Sequence, residues 1–258
     1  GFIGDQTVRN KIQEYLKEGT LQNLLLFGPA GTGKTSLAKL IVKQLGADHL
    51  YINASDERGI DTIRDKIVPF ASSIGFNGLK VVILDESDYL TAQAQATLRN
   101  VIETFSSSCR FIFTCNYLDR IIAPLQSRCM AFGITPPSKK EVGQHILKIC
   151  EQENIEYTKE DLGQIIITHY PDIRKIINTL QGSVVDGGQG DYYLKIDNNS
   201  LKNTQLGDQI VDALEKKLKL SAIRQILADS GAREFDGLFK VLYDNVSKYT
   251  NREGEAIL

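Results

Sequence analysis

Leu24 to Leu45 reads LLLFGPAGTGKTSLAKLIVKQL, and the fold follows from it. Within it Gly28-Pro-Ala-Gly-Thr-Gly33-Lys34-Thr35 matches the phosphate-binding pattern G-x-x-x-x-G-K-[ST] over its full length. The apolar run Leu24–Phe27 leads in as a buried strand. Ser36 to Leu45 leads out with apolar residues at 37, 38, 40, 41, 42 and 45, a helical spacing. Glycines let successive backbone N–H groups curl around a phosphate, and the helix turns its positive end toward it. Lys34 is then expected to reach the β- and γ-phosphates of a nucleotide, and the Thr35 hydroxyl to ligate Mg²⁺.

Working outward, Lys80-Val-Val-Ile-Leu-Asp85-Glu86 is an apolar strand that ends in two acids. That pattern suits metal-assisted phosphoanhydride hydrolysis, with Asp85 holding Mg²⁺ and Glu86 orienting the attacking water. Leu50–Asn53 reads as a short strand and Arg110–Asn116 as a buried one. Helical spacing is expected over 5–18, 62–73 and 93–105. Alternating strands and helices with near-continuous apolar strands predict a parallel α/β sheet covered on both faces. Ligands of such sheets bind beyond the strands' carboxyl ends, where Gly28–Thr35, Asn53, Asp85-Glu86 and Asn116 all fall.

Thr135-Pro-Pro-Ser138 breaks the pattern and predicts a domain boundary. Beyond it the spacing is helical over 139–151, 159–169, 173–181, 206–218, 221–228 and 235–248, with a short strand expected at 192–196. The expected division is 1–135 for the sheet domain, 136–203 for a small helical domain and 204–258 for a further, partial helical domain. The chain has 258 residues, 42% of them hydrophobic and 24% charged, as globular proteins do. A net charge of −2 gives no global pull toward nucleic acid, so any such contact must be a local patch. No apolar run approaches the length of a membrane span, and no secretory leader is expected. The four cysteines form no C-x-x-C pair and His is scarce, which argues against a zinc module; Cys115 is expected as a buried free thiol in a reducing compartment. The chain opens on Gly1 rather than Met and is read as a fragment.

Four stretches resemble the AAA+ ATPases of the clamp-loader group, above all the small subunits of replication factor C and their phage counterparts. They are FGPAGTGKT at 27–35, YINASDERGID at 51–61, LDESD at 84–88 and CNYLDRIIAPLQSRC at 115–129. The last discriminates most, because Ser127-Arg128-Cys129 is the clamp-loader form of the arginine-finger motif. The resemblance covers residues 2–182. It implies a P-loop AAA+ sheet domain, a helical lid and a partial helical collar. It also implies binding of ATP with Mg²⁺ across Gly28, Pro29, Ala30, Gly31, Thr32, Gly33, Lys34, Thr35 and Ser36, with Ile3 lining the adenine pocket. Asn116 is expected as the first sensor and Arg174 as the second, within Tyr170-Pro-Asp-Ile-Arg174, where Pro171 replaces the family's usual Gly. Glu86, Lys34, Asn116, Arg128 and Arg174 form the implied catalytic set, Arg128 acting in a neighbouring subunit's site.

Further roles are implied in the same way. Asn53 matches a switch that holds Glu86 away until DNA binds. Arg58 and Arg64, with Lys66 nearby, fall where related subunits touch template-strand phosphates. Gln95 and Arg99 match a helix that couples DNA contact to the active site, although Asn100 departs from the usual double Arg. Phe70, Ile74 and Phe76 are candidate anchors for a sliding clamp, or else core. The implied partners are other loader subunits in a hetero-pentamer, the clamp and primer–template DNA, in the cytoplasm, a eukaryotic nucleus or a phage's host. The usual Lys-Tyr-Arg-Pro segment before the first helix is missing, and the last domain is short. Two alternatives stay open: another AAA+ motor, such as a branch-migration helicase or helicase loader, and a non-hydrolysing structural subunit of the loader.

Overall fold

The computed structural model describes Gly4 and residues 6–75, 78–188, 191–195, 198–230, 242, 243 and 245. The chain forms two compact units, Gly1–Val142 with Pro171–Lys175, and Gly143–Tyr170 with Ile176–Leu258.

The first unit is built on five parallel strands: β1 (Leu24–Phe27), β2 (Asp48–Asn53), β3 (Lys80–Asp85), β4 (Cys109–Cys115) and β5 (Met130–Gly133). They lie in the order β2-β3-β4-β1-β5. Side chains alternate between sheet faces, and the apolar content of β1, β3 and β4 fills both. One face carries Leu25, Val82, Leu84, Phe111 and Phe113 against Ile63, Ile67, Ala94, Leu98 and Val101. The other carries Leu24, Leu26, Val81, Ile83 and Ile112 against Val8, Ile12, Leu37 and Ile41. The covering helices are α1 (Gln6–Glu18), α2 (Lys34–Leu45), the short α3 (Ile60–Thr62) and α4 (Val68–Ser72), and α5 (Ala92–Thr104). The still shorter α6 (Ala123–Gln126) precedes β5.

Between α3 and α4 the backbone takes a π turn, Ile63–Ile67, where periodicity predicts one regular helix. Pro69 follows two residues after it; it has no N–H to give to the carbonyl of Asp65, so the ordinary α ladder is interrupted there. α4 ends on a buried cation: Lys80, 2% exposed, donates its Nζ to the carbonyls of Phe70 (3.0 Å) and Ala71 (2.7 Å), and to that of Ser73. Phe70 packs on the core at its edge, while Ile74 is 95% exposed; Phe76 lies outside the described residues.

The second unit holds most of α7 (Lys139–Gln152), α8 (Lys159–His169) and α9 (Ile173–Gly182), then α10 (Asn198–Glu215) and α11 (Leu220–Ser230). Ser138 and Glu141 close a reciprocal capping box on α7, with Ser138 N and Oγ donating to Glu141 Oε2 at 2.9 and 2.7 Å. α10 packs on α11 through Leu206, Ile210, Ile223 and Ile226. The expected strand is present as β8 (Tyr192–Leu194) and has two partners that periodicity misses, β6 (Ile155–Glu156) and β7 (Val184–Asp186). Strands of two or three residues are too short to show alternation. α10 also begins eight residues before the expected 206, at Asn198. The expected helix at 235–248 lies outside the described residues apart from 242, 243 and 245.

Candidate nucleotide site

The phosphate loop leaves β1 at Gly28, whose φ of 142° and close approach leave no room for a side chain: a Cβ there would sit 2.3 Å from the Ile134 carbonyl oxygen. Thr32 is buried and donates its hydroxyl to the Pro29 carbonyl at 2.9 Å, which closes the loop on itself. Gly28, Pro29 and Thr32 therefore shape the loop. Ala30, Gly31, Gly33, Lys34, Thr35 and Ser36 line the cleft in front of it, with Asp85, Glu86, Thr114, Cys115, Asn116 and Arg174.

Lys34 is 8% exposed and its Nζ is fully engaged, donating to the carbonyls of Gly28 (2.8 Å) and Pro29 (2.7 Å) and to Asn116 Oδ1 (2.9 Å). Burial lowers its pKa from the ordinary lysine value, against the opposing pull of Cys115, Asp85 and Asp88. Asp85, the last residue of β3, is the node of the site. Its Oδ1 accepts the Thr35 hydroxyl at 2.7 Å and the Thr114 hydroxyl, and its Oδ2 accepts the Tyr51 hydroxyl at 2.8 Å. Glu86 then takes a left-handed φ of 55°, unusual for a residue with a side chain, and its N–H donates to Thr114 Oγ1 at 3.0 Å. Asp88 is buried and accepts the Asn116 backbone N–H at 3.3 Å, which fixes the end of β4.

Thr114 and Tyr51 are not among the residues expected from the sequence. Each carried a signal: a lone hydroxyl inside Phe-Ile-Phe-Thr114-Cys, and a Tyr two residues ahead of Asn53 on the same face of β2. Burial and the hydrogen bond to Asp85 both push the Tyr51 phenol up.

Arg174 lines the cleft from the first turn of α9, and belongs to the first unit with Pro171–Lys175. Asp172 replaces the turn expected of a Gly at 171 with a side-chain cap: its Oδ1 accepts the Lys175 N–H at 3.0 Å. Asn53 turns its Oδ1 to Ser55, accepting from the Ser55 N–H (3.1 Å) and hydroxyl (3.0 Å); among the described residues no hydrogen bond joins it to Glu86. Arg128 is not in the cleft. It is held outside it by its own chain, with Nε donating to Glu103 Oε1 at 2.8 Å and a second guanidinium nitrogen to the Pro124 carbonyl at 2.6 Å. Arg58 and Arg64 are exposed and enter no salt bridge among the described residues, whereas Lys66 is paired with Glu57 at 2.7 Å. Gln95 is buried and ties α5 to the 120–122 turn through the Arg120 carbonyl (3.0 Å) and the Ile122 N–H (2.8 Å). Ile3 lies outside the described residues.

The donor set fits Mg²⁺. Thr35 and Asp85 offer oxygen donors side by side at the cleft, and among the described residues no cluster of three His, Cys, Asp or Glu forms a dedicated metal cage. A cation that keeps waters and shares substrate phosphates needs one carboxylate and a hydroxyl, and these are present.

Residues 24–135 match the family model described as ATPase family associated with various cellular activities (AAA). A Replication factor C small subunit of Natronomonas pharaonis is 34% identical over 268 residues, covering 99% of this chain and 81% of the relative. The chain belongs to the replication factor C small-subunit family. The family member from Archaeoglobus fulgidus is 42% identical over 192 residues, 72% of this chain and 60% of that protein, so the chain spans well under its full length. Among solved structures the Thermotoga maritima RuvB Holliday junction branch migration motor aligns with a TM-score of 0.63 at 19% identity, over 96% of this chain and 88% of that one. That likeness shows the shared AAA+ fold and nothing of function. No described helix is long and apolar enough to cross a membrane.

Proposed function

We propose that this chain is the ATPase part of a sliding-clamp loader subunit, which binds ATP with Mg²⁺ and hydrolyses it when primer–template DNA and the clamp are engaged. The observation that carries the reading is the convergence of Lys34, Thr35, Asp85, Glu86, Asn116 and Arg174 on one cleft, in a chain of the replication factor C small-subunit family. A scaffold that only filled a place in the ring would have no use for all six. The family match favours the loader over another AAA+ motor.

In this reading the loop N–H groups and Lys34 grip the β- and γ-phosphates, and Arg174 neutralises charge on the γ-phosphate side. Thr35 and Asp85 hold Mg²⁺, which supplies Lewis-acid stabilisation of charge on the phosphate oxygens. Glu86 takes a proton from the attacking water, and Asn116 orients that water or the γ-phosphate. Arg128 serves the neighbouring subunit's site in a hetero-pentamer, exchanging Glu103 for a phosphate. Asn53 restrains Glu86 until DNA binds, and Arg58 and Arg64 contact phosphates of the template strand without reading sequence. Residues 1–135 form the ATPase domain, 136–203 the lid and 204–258 the collar, and Ile3 lines the adenine pocket. Loading takes place in the cytoplasm, or in the nucleus of a eukaryote.

The test is ATP turnover by the full-length protein assembled with its partner subunits. Turnover should be slow alone and rise strongly with primer–template DNA plus clamp, and DNA affinity should fall with salt. Lys34→Ala should lose nucleotide binding, and Glu86→Gln should bind but not turn over. Arg128→Ala should bind ATP yet hydrolyse poorly, and mixing it with Lys34→Ala should restore part of the activity. An assembled ATPase indifferent to DNA and clamp would overturn the reading.

A further inference from the structure

We propose that Tyr51 is a positioning residue for Asp85, and that it sets how tightly this site holds a divalent cation alongside nucleotide; the proposal rests on the nucleotide-site reading above. A carboxylate turns easily about its last side-chain bond, whose torsion is broad. Thr35 and Thr114 both donate to Oδ1 and leave that rotation loosely determined. The Tyr51 hydroxyl takes Oδ2 at 2.8 Å, so donors on both oxygens hold the plane of the group.

The ring is placed for this by two elements. Tyr51 pairs with Ile83 on β3, two positions before the Asn53–Asp85 pair, which brings its hydroxyl up toward the strand's end. Lys39 Nζ lies over the ring, 4.3 Å from its centroid. Lys39 stands four residues after Thr35 on α2, on the same face of the helix. One helix therefore supplies the donor to Oδ1 and, one turn later, the cation that steadies the phenol on Oδ2. Tyr51 is 39% exposed, so it is not there for the core; removing its hydroxyl leaves the packing of the sheet intact.

The hydrogen bond from Tyr51 bears on how Asp85 is presented to a cation, so dependence of the effect on cation separates this role from a structural one. The experiment is titration of a fluorescent ATP analogue against the full chain over a range of Mg²⁺ concentrations, repeated in excess chelator. Mn²⁺ binding in the presence of ADP, followed by electron paramagnetic resonance, is the second readout. Tyr51→Phe should raise the cation concentration at half-saturation by about fivefold to tenfold, the worth of one hydrogen bond to a charged group at a half-exposed position. Its nucleotide affinity in chelator should match wild type. Lys39→Met should move the cation midpoint in the same direction by about twofold. An unmoved cation midpoint in Tyr51→Phe would overturn the proposal, as would an equal loss of affinity with and without cation. Wild-type protein that binds nucleotide without regard to Mg²⁺ would overturn the metal-site reading beneath it as well.

Discussion

Thr114→Val tests the site with the least change of shape. Valine has nearly the volume of threonine, and Thr114 is buried in β4, so the substitution removes one hydroxyl from a closed space. That hydroxyl donates to Asp85 and accepts the Glu86 N–H at 3.0 Å. Losing a bond to a charged group costs about 1.5–3 kcal/mol, and leaving a half-buried N–H unpaired costs about 1 more. Burying one more methyl returns about 1 kcal/mol. The expected loss is therefore about 1.5–3 kcal/mol, or a fall of roughly 3–12 °C in the melting transition for a chain of this size. Turnover should fall by about tenfold with little change in KM, because Glu86 stands at a disfavoured φ and the Thr114 hydroxyl is what holds its peptide. Thr114→Ser keeps the hydroxyl and should restore most of both. The measurements are differential scanning calorimetry and a phosphate-release assay on the assembled protein. A Thr114→Val protein that melts and turns over like wild type would refute the reasoning.

Gly31→Ala should abolish nucleotide binding: Gly31 sits at φ 75°, and an added Cβ would meet Asp172 Oδ1 at 2.0 Å. Adding Asp172→Ala should recover part of the lost affinity by relieving the clash, as read by titration, and no recovery would count against the contact. Burial pushes Cys109 up to about 11 and Cys115 and Cys129 up to about 12, so their thiols should stay protonated and resist alkylation at pH 8 until the chain is unfolded, as mass spectrometry would report. Glu103→Ala removes an ion pair that is largely exposed on the Glu side, so stability should change by less than about 1 kcal/mol in urea denaturation while Arg128 keeps its bond to the Pro124 carbonyl.

The sheet was legible because β1, β3 and β4 are apolar nearly throughout, a pattern that only a strand covered on both faces needs. The loop was legible because Gly28 and the glycines after it are forced by backbone geometry, which leaves a mark in the sequence itself. What stayed hidden is what depends on neighbours distant in the chain. Tyr51 and Thr114 reach Asp85 from different strands, 34 and 29 residues away, and the local signal each carries does not name Asp85 as its partner. The π turn at Ile63–Ile67 and the two- and three-residue strands β6 and β7 are likewise set by local backbone and pairing rather than by hydrophobic period. Lys80 reads as the polar start of an apolar strand, and only the fold shows its ammonium buried among the carbonyls that end α4.

Lys34 also ties the phosphate loop to the end of β4. Lys34 shares its three donors between two loop carbonyls and Asn116 Oδ1, so the cation and the first-sensor candidate are bonded to each other. A phosphate competes with all three acceptors for the same ammonium, and it wins on charge: carbonyl and amide oxygens are dipoles, while the phosphate is an anion. Burial strengthens that preference, since Lys34 has already lost most of its water and pays no further desolvation to meet the anion. Under the proposed function, transfer of Lys34 to phosphate would release the Asn116 carboxamide while Asp88 keeps its backbone in place. The side chain is then free to turn to a γ-phosphate or its attacking water from a fixed base. In the proposed nucleotide-binding role, occupancy of the loop and readiness of the sensor candidate would thus be linked through one hydrogen bond of 2.9 Å.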